Sequence, residues 1–178
     1  IELLKKFGFN RISLGIQDFR NDVLEAINRK PSKHPIEEII SKIKSEGFTG
    51  TNIDLVYGLP LQTVSSFKNT VERAIELKTE RLVTFSYAHV PSVLPRQKIL
   101  EKIGFPSSND KASMYENSYK KFLNSGYISI GMDHYSLPED EFAVALKNKN
   151  LHRNFQGYCT RETTCLLYTS PSPRDLRK

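Results

Sequence analysis

Apolar and polar positions along the chain change rhythm several times, and the changes mark its elements. In 11–17 they alternate, with Ile12, Leu14 and Ile16 on one face, which predicts a strand. Asp18 stands where a helix cap is expected, ahead of a helix over 20–28. Pro31 and Pro35 bracket a break. Ile36, Ile39, Ile40 and Ile43 then recur at helical spacing, predicting a helix over 36–46 that Gly47 stops. A second strand is predicted over 51–57, a helix over 65–77 with Phe67, Val71, Ala74 and Ile75 apolar, and a third strand over 81–88. A short helix at 97–103 and a longer one at 111–125 follow. Met114, Tyr115, Ser118 and Phe122 share a face of the longer one. A fourth strand is predicted over 127–132, and a helix-like stretch from Pro138 to about Leu146. The first residues, 1–7, also read as a short helix.

Strands alternating with helices imply an α/β fold with a parallel sheet and right-handed crossovers. Four such units fit part of a β/α barrel or part of a doubly wound sheet. In both, functional groups collect at the carboxyl ends of the strands. That rule selects Gln17 and Asp18, Asp54 and Tyr57, Tyr87 to His89, and Asp133 to Tyr135. Asp54 is singled out because it interrupts an apolar run, where a carboxylate is costly without a partner. The run breaks directly afterwards at Gly58-Leu59-Pro60.

Bulk properties narrow the field. The chain has 178 residues and a formal net charge of +6, the length of one domain. Its basic residues are scattered, without a basic block interleaved with aromatics, so nucleic acid is not an expected partner. No window is long and apolar enough to span a membrane, and no signal peptide is recognisable at Ile1. The absence of an initiator Met suggests a start inside a longer protein. Two cysteines, Cys159 and Cys165, are too few for a disulfide framework and fit a reducing, cytoplasmic setting. From Cys165 to Lys178 the periodicity is lost; this stretch reads as foreign to the fold, or else as a disordered tail, leaving 1–164 as the folded unit.

Six segments carry a family resemblance. They are GFNRISLGIQDF (8–19), Asn28-Arg29, GFTGTNIDLVYGLPLQT (47–63), FSYAHVP (85–91), GMDHY (131–135) and LHRNFQGY (151–158). Together and in this order they resemble the oxygen-independent coproporphyrinogen III oxidases of the radical SAM (S-adenosylmethionine) superfamily. The resemblance implies a partial (β/α) barrel of the radical SAM type, of which this chain is the second half only. It implies S-adenosylmethionine and a 4Fe-4S cluster as cofactors. The cluster is held by three thiolates of a CxxxCxxC loop; neither Cys159 nor Cys165 has such spacing, so the ligands are expected outside this chain, upstream of Ile1. As it stands, the chain is expected to be inactive alone.

The resemblance places Gln17, Arg29, Asp54 and Ala88 at S-adenosylmethionine. Arg29 suits a carboxylate, Asp54 a ribose or ammonium group, Gln17 either a donor or an acceptor, and the Ala88 backbone an adenine edge. Asp54 could instead pair with Arg29. Arg153 could face substrate propionates, or lie in a loop packed behind the barrel. His89 and His134 are expected to be structural, and no residues are spaced as a metal site. The implied reaction is oxidative decarboxylation of two propionates of coproporphyrinogen III, giving protoporphyrinogen IX in heme synthesis. A cluster-bound S-adenosylmethionine yields the radical that removes a β-hydrogen. The expected partners are the porphyrinogen substrate and an electron donor of unknown identity, with the protein a monomer. A heme chaperone of the same superfamily shares the GLPxQT piece, but FSYAHVP and LHRNFQGY favour the oxidase. A non-catalytic piece of barrel is the third reading. A dinucleotide-binding domain is disfavoured because no GxGxxG follows a strand.

Overall fold

A computed structural model describes residues 1–154 and 157–160. The tail from Cys165, the boundary at 164, and Phe155 and Gln156 of the LHRNFQGY segment lie outside the described residues. Strands β1 (Arg11–Gln17), β2 (Gly50–Tyr57) and β3 (Arg81–Ser86) pair in parallel, each reached through helical segments. Between β1 and β2 come α2 (Asn21–Ala26) and α3 (Ile36–Ser45), and between β2 and β3 comes α4 (Val64–Glu76). After β3 a 3-10 helix (Pro95–Lys102) leads to α5 (Ser108–Asn124). A short exposed helix, α1 (Glu2–Lys6), precedes the sheet.

The predicted fourth strand is the main correction. Residues 127–132 do not add as a parallel neighbour of β3. A short β4 (Ile128–Gly131) turns through Met132 and Asp133 into β5 (His134–Ser136), which inserts antiparallel between β3 and β4. The sheet order is therefore β1-β2-β3-β5-β4. The Asp133 carbonyl accepts the Thr84 N–H at 2.9 Å, which holds the hairpin turn beside the carboxyl half of β3. Helix α6 (Glu141–Lys147) and a second hairpin, β6 (His152–Asn154) with β7 (Gly157–Cys159), follow. The remaining boundaries differ from expectation by a few residues, as helix and strand ends commonly do.

The two faces of the sheet have different fates. Ile53, Leu55 and Tyr57 of β2, Leu82 of β3 and Ile16 of β1 face the helices. There they pack with Ile40 and Ile43 of α3, Phe67, Val71 and Ala74 of α4, and Met114 and Phe122 of α5. The helices form where their apolar spacing allows this burial, and α4 and α5 start at capping boxes, Thr63 with Ser66 and Ser107 with Asp110. The opposite, open face carries the intervening positions: Arg11, Ser13 and Gly15 of β1, Asn52, Asp54 and Val56 of β2, Arg81 and Phe85 of β3, and His134 of β5.

The amino end of that open face is closed by charge. Asp140 caps α6 through the Phe142 N–H at 2.8 Å, and its side chain is 1% exposed. It accepts Arg11 Nη2 and Arg81 Nε, each at 2.8 Å. Glu141 takes Arg81 Nη2 at 2.8 Å, and the Arg81 guanidinium lies 3.3 Å from the Phe142 ring centre. A buried carboxylate is tolerated only when paired in this way. Removing it leaves the largely buried Arg81 guanidinium with only the more exposed Glu141 as a carboxylate partner, so Asp140→Ala is expected to destabilise the fold by about 3 kcal/mol, read as a lowered urea midpoint. Asp140→Asn, which keeps the cap but not the charge, is expected to fall between. An alanine variant that unfolds at the wild-type midpoint would show that this floor contributes nothing.

Candidate functional site

The site is built from the upper half of the open face and the loops above it. Asp54 sits in mid-strand, fifth of the residues in β2, and is paired in register with Gly15 of β1. Its side chain is half-buried. Ser13 Oγ donates to Oδ2 at 3.2 Å and Asn52 Nδ2 to Oδ1 at 2.7 Å, so both carboxylate oxygens are oriented by neighbours on the same face. The apolar run around Asp54 is explained by alternation: its neighbours Ile53 and Leu55 point into the core, whereas Asp54 points away from it. It is therefore not an acid buried in an apolar core, as the run of residues implies.

Gln17 and Arg29 converge beside it. Gln17 ends β1 with a positive φ of 68° after a register shift, which swings its side chain back over the strand. A Cβ at Gly15 would lie 2.7 Å from Gln17 Nε2 and 3.3 Å from Arg29 Nη2, so the close approach of these two heads depends on a glycine. Arg29 follows α2 and donates to the Gly15 carbonyl. No ion pair joins it to Asp54 among the described residues; the alternative of an Arg29–Asp54 pair is not what the structure contains. Gln17 and Arg29 also border a cleft of about 770 Å3 that runs past Val56 and Tyr87 to Gln97 and Arg96. Ala88, exposed on the loop after β3, lies at the same rim, its carbonyl accepting Gln97 Nε2 at 3.0 Å.

Asp18 is corrected from helix cap and rim group to buried anchor. It is 0% exposed. Its Oδ1 accepts the Arg20 N–H at 2.8 Å and Thr70 Oγ1 at 3.0 Å, and its Oδ2 accepts Gln62 Nε2 at 2.7 Å. Gln62 in turn accepts the Leu59 N–H at 2.9 Å and donates to the Val56 carbonyl at 2.9 Å. The Gly58-to-Gln62 turn is thus strapped to the end of β1 and to α4. Gly58, at φ +82°, also admits the stem of Lys111, whose Cε would lie 2.6 Å from a Cβ there. Lys111 and Gln97 are functional candidates that pattern reading does not find, because each acts through its side chain on the backbone of the loop after β3, a contact with no periodic signature.

On the β5 side, His134 shares the open face with Phe85 and Tyr158, at ring separations of 6.1 and 5.1 Å. Burial lowers its pKa, and the Arg153 and Arg81 charges push the same way against the Asp133 and Asp54 carboxylates. Arg153 is exposed on β6 with its guanidinium 5.9 Å from the Tyr158 ring centre, and its charge and that of Asp54 both reach His134. His89 Nε2 lies 3.0 Å from Glu101 Oε1, and its ring is 4.7 Å from that of Phe105, consistent with a packing role. No group of three His, Cys, Asp or Glu side chains suited to a metal ion occurs among the described residues. No helix among them is long and apolar enough to cross a membrane.

The sheet, parallel through β1 to β3, carries its polar residues on the open face and at its carboxyl rim, and the radical SAM superfamily is matched over residues 1–74. The oxygen-independent coproporphyrinogen III oxidase of Escherichia coli is 42% identical over 167 residues, covering 94% of this chain and 36% of the relative. Its namesake in Synechocystis is 38% identical, covering 92% of this chain and 35% of the relative. The solved structure of coproporphyrinogen III oxidase from Escherichia coli, described as a radical SAM enzyme, aligns with a TM-score of 0.84 at 43% identity, over 89% of this chain and 36% of that one. By sequence and fold the chain is similar to a segment of the oxygen-independent coproporphyrinogen III oxidases. It spans 36% of the length of the Escherichia coli relative it matches.

Three outcomes follow from the anchor, the Arg29 guanidinium and the imidazole. Asp18→Ala leaves Thr70 and Gln62 without their buried acceptor and is expected to cost about 3 kcal/mol in urea unfolding. Arg29→Ala, at an exposed position, is expected to change stability by less than about 0.5 kcal/mol. For His134 the folded pKa lies below the unfolded value of 6.5. As pH falls through about 6.5 the unfolded chain takes up a proton that the folded chain resists, so stability drops on the acid side. His134→Phe is expected to flatten that slope between urea melts at pH 7.5 and 5.5; an unaltered slope would place the group's titration elsewhere.

Proposed function

We propose that Gln17, Arg29, Asp54 and the Ala88 backbone bind S-adenosylmethionine, in a protein that converts coproporphyrinogen III to protoporphyrinogen IX without oxygen. The carrying observation is the convergence of Gln17 and Arg29 over Gly15, beside an Asp54 carboxylate already oriented by Ser13 and Asn52. The donor set fits the ligand. A guanidinium suits the methionine carboxylate, a fixed half-exposed carboxylate suits a ribose diol or the ammonium, and the rim backbone suits adenine. S-adenosylmethionine, when bound, supplies the 5′-deoxyadenosyl group for hydrogen abstraction from a substrate propionate. The chain's own part is to hold that ligand along the open face, with the Asp140 floor closing one end and the rim loops the other. Arg153, basic and beside Tyr158, is the residue proposed to meet a substrate propionate.

The 4Fe-4S cluster does not fit the residues present. It needs three thiolates, and the sequence has two cysteines, of which Cys159 is a free thiol on β7. No step is therefore assigned through a cluster held by this chain, and in this reading its ligands come from outside these residues. The reducing, cytoplasmic setting is part of the same proposal.

The test is a chimera in which residues 1–160 replace the aligned segment of the Escherichia coli oxidase. It is expected to keep measurable decarboxylation of coproporphyrinogen III. Asp54→Asn in the chimera is expected to weaken S-adenosylmethionine binding about tenfold, in line with the loss of one charge-assisted hydrogen bond. Equal binding by the asparagine variant would remove Asp54 from the assignment.

A further inference from the structure

The backbone from Tyr87 to Val90 is held by side chains from other parts of the chain. Tyr87 N–H donates to the Tyr57 carbonyl at 2.8 Å, and the Tyr87 carbonyl accepts Lys111 Nζ at 2.9 Å. Gln97 Nε2 donates to the Ala88 carbonyl at 3.0 Å, while the Val90 N–H donates to Gln97 Oε1 at 2.6 Å. One carboxamide therefore grips both sides of His89. The N–H groups of Ala88 and His89 have no hydrogen-bond partner among the described residues. The Ala88 carbonyl keeps a second lone pair. An exposed N–H beside an available carbonyl, both on an immobilised strand end, is the donor and acceptor pattern that reads the amino edge of adenine. Hypoxanthine presents a carbonyl where adenine presents the amino group, and so leaves the Ala88 carbonyl without a donor.

We propose that Gln97 is a positioning residue which, by fixing the Ala88–Val90 backbone, makes the rim cleft select adenine over hypoxanthine. This rests on the S-adenosylmethionine reading and extends it from binding to base discrimination. The Gln97 carboxamide donates to Ala88 and accepts from Val90 at once. Glutamate keeps the size and the acceptor but cannot donate, and alanine does neither. Gln97 lines the same cleft as Gln17 and Arg29, so the clamp adjoins the groups assigned to the ligand's other end. Lys111 reinforces it from the opposite side, through Tyr87.

The experiment titrates S-adenosylhomocysteine and S-inosylhomocysteine, separately, into the full chain and into Gln97→Ala and Gln97→Glu by calorimetry, with thermal melts as the control for folding. The wild type is expected to prefer the adenine compound by about tenfold or more, as sites built around a hydrogen bond do. Both variants are expected to bring that ratio toward one, chiefly by weakening the adenine compound. A residue that merely stabilises the fold would weaken both compounds together and leave the ratio alone. Gln97→Glu carries the test if the alanine variant does not melt cooperatively. A wild-type preference that persists in the variants, or no wild-type preference, overturns the inference while leaving the S-adenosylmethionine reading in place. A wild type that binds neither compound overturns both.

Discussion

The arrangement of the site depends on one buried carboxyl group. Asp18 lies where β1 leaves the sheet, and it accepts hydrogen bonds from the next turn of its own loop, from α4 and from the strap that follows β2. The start of α2, the strap after β2 and α4 are thereby fixed to a single pair of oxygens. A buried acceptor of this kind is expensive unless every lone pair finds a donor, which is why all three donors must arrive together. The end of β1 then has only one position, and with it the reversed φ of Gln17 that turns its side chain toward Gly15. The Gly58-Leu59-Pro60 turn is less a ligand loop than the means by which Gln62 reaches Asp18.

Below that rim, the open face is ordered in layers that follow the strand register. Arg11 and Arg81 meet Asp140 and Glu141 at the bottom. Ser13, Asn52 and Asp54 form a neutral-to-acidic layer above them. Gln17 and Arg29 lie above that. The positive charge of the lowest layer is consumed by α6, so the guanidinium that remains available near Asp54 is Arg29. Charge is distributed along the face by pairing, and the net charge of the chain says little about it.

Much of this architecture was legible because it obeys a period. The alternation in β1 and β2 and the isoleucine spacing of α3 reported their buried faces directly. The β4–β5 hairpin was not legible. Its turn is Gly131-Met132-Asp133, with Met132 at φ 50°, and it lacks the Asn-Gly or Asp-Gly pair that marks tight hairpins. The short polar strand His134–Ser136 exists because β3 offers it an edge, a tertiary cause with no local signature. Asp18 was misread because an aspartate ahead of a helical pattern normally caps it; here the tertiary donors Gln62 and Thr70 outcompete that role. The candidates carried by family resemblance divide similarly. Gln17, Arg29 and Asp54 come together, Ala88 lies at their rim, and Arg153 stands beside Tyr158 on the second hairpin.

The antiparallel insertion also bears on how the molecule assembles in time. Gly131 and His134 pair within a few residues of each other, whereas Ser13 meets Asp54 across 41 positions of chain. Closing a long segment costs more entropy than closing a short turn, so local hairpins form ahead of distant parallel pairings. By the same measure the β1–β2 and β2–β3 pairings, Ile12 with Thr51 and Ile53 with Leu82, close at comparable cost, and the docking of the hairpin on β3, Val83 with His134, spans the longest separation. Whatever the order, Ser13, Gly15 and Gln17 stand beside Asp54 only once β1 has paired with β2, so the ligand groups form as a set with that pairing.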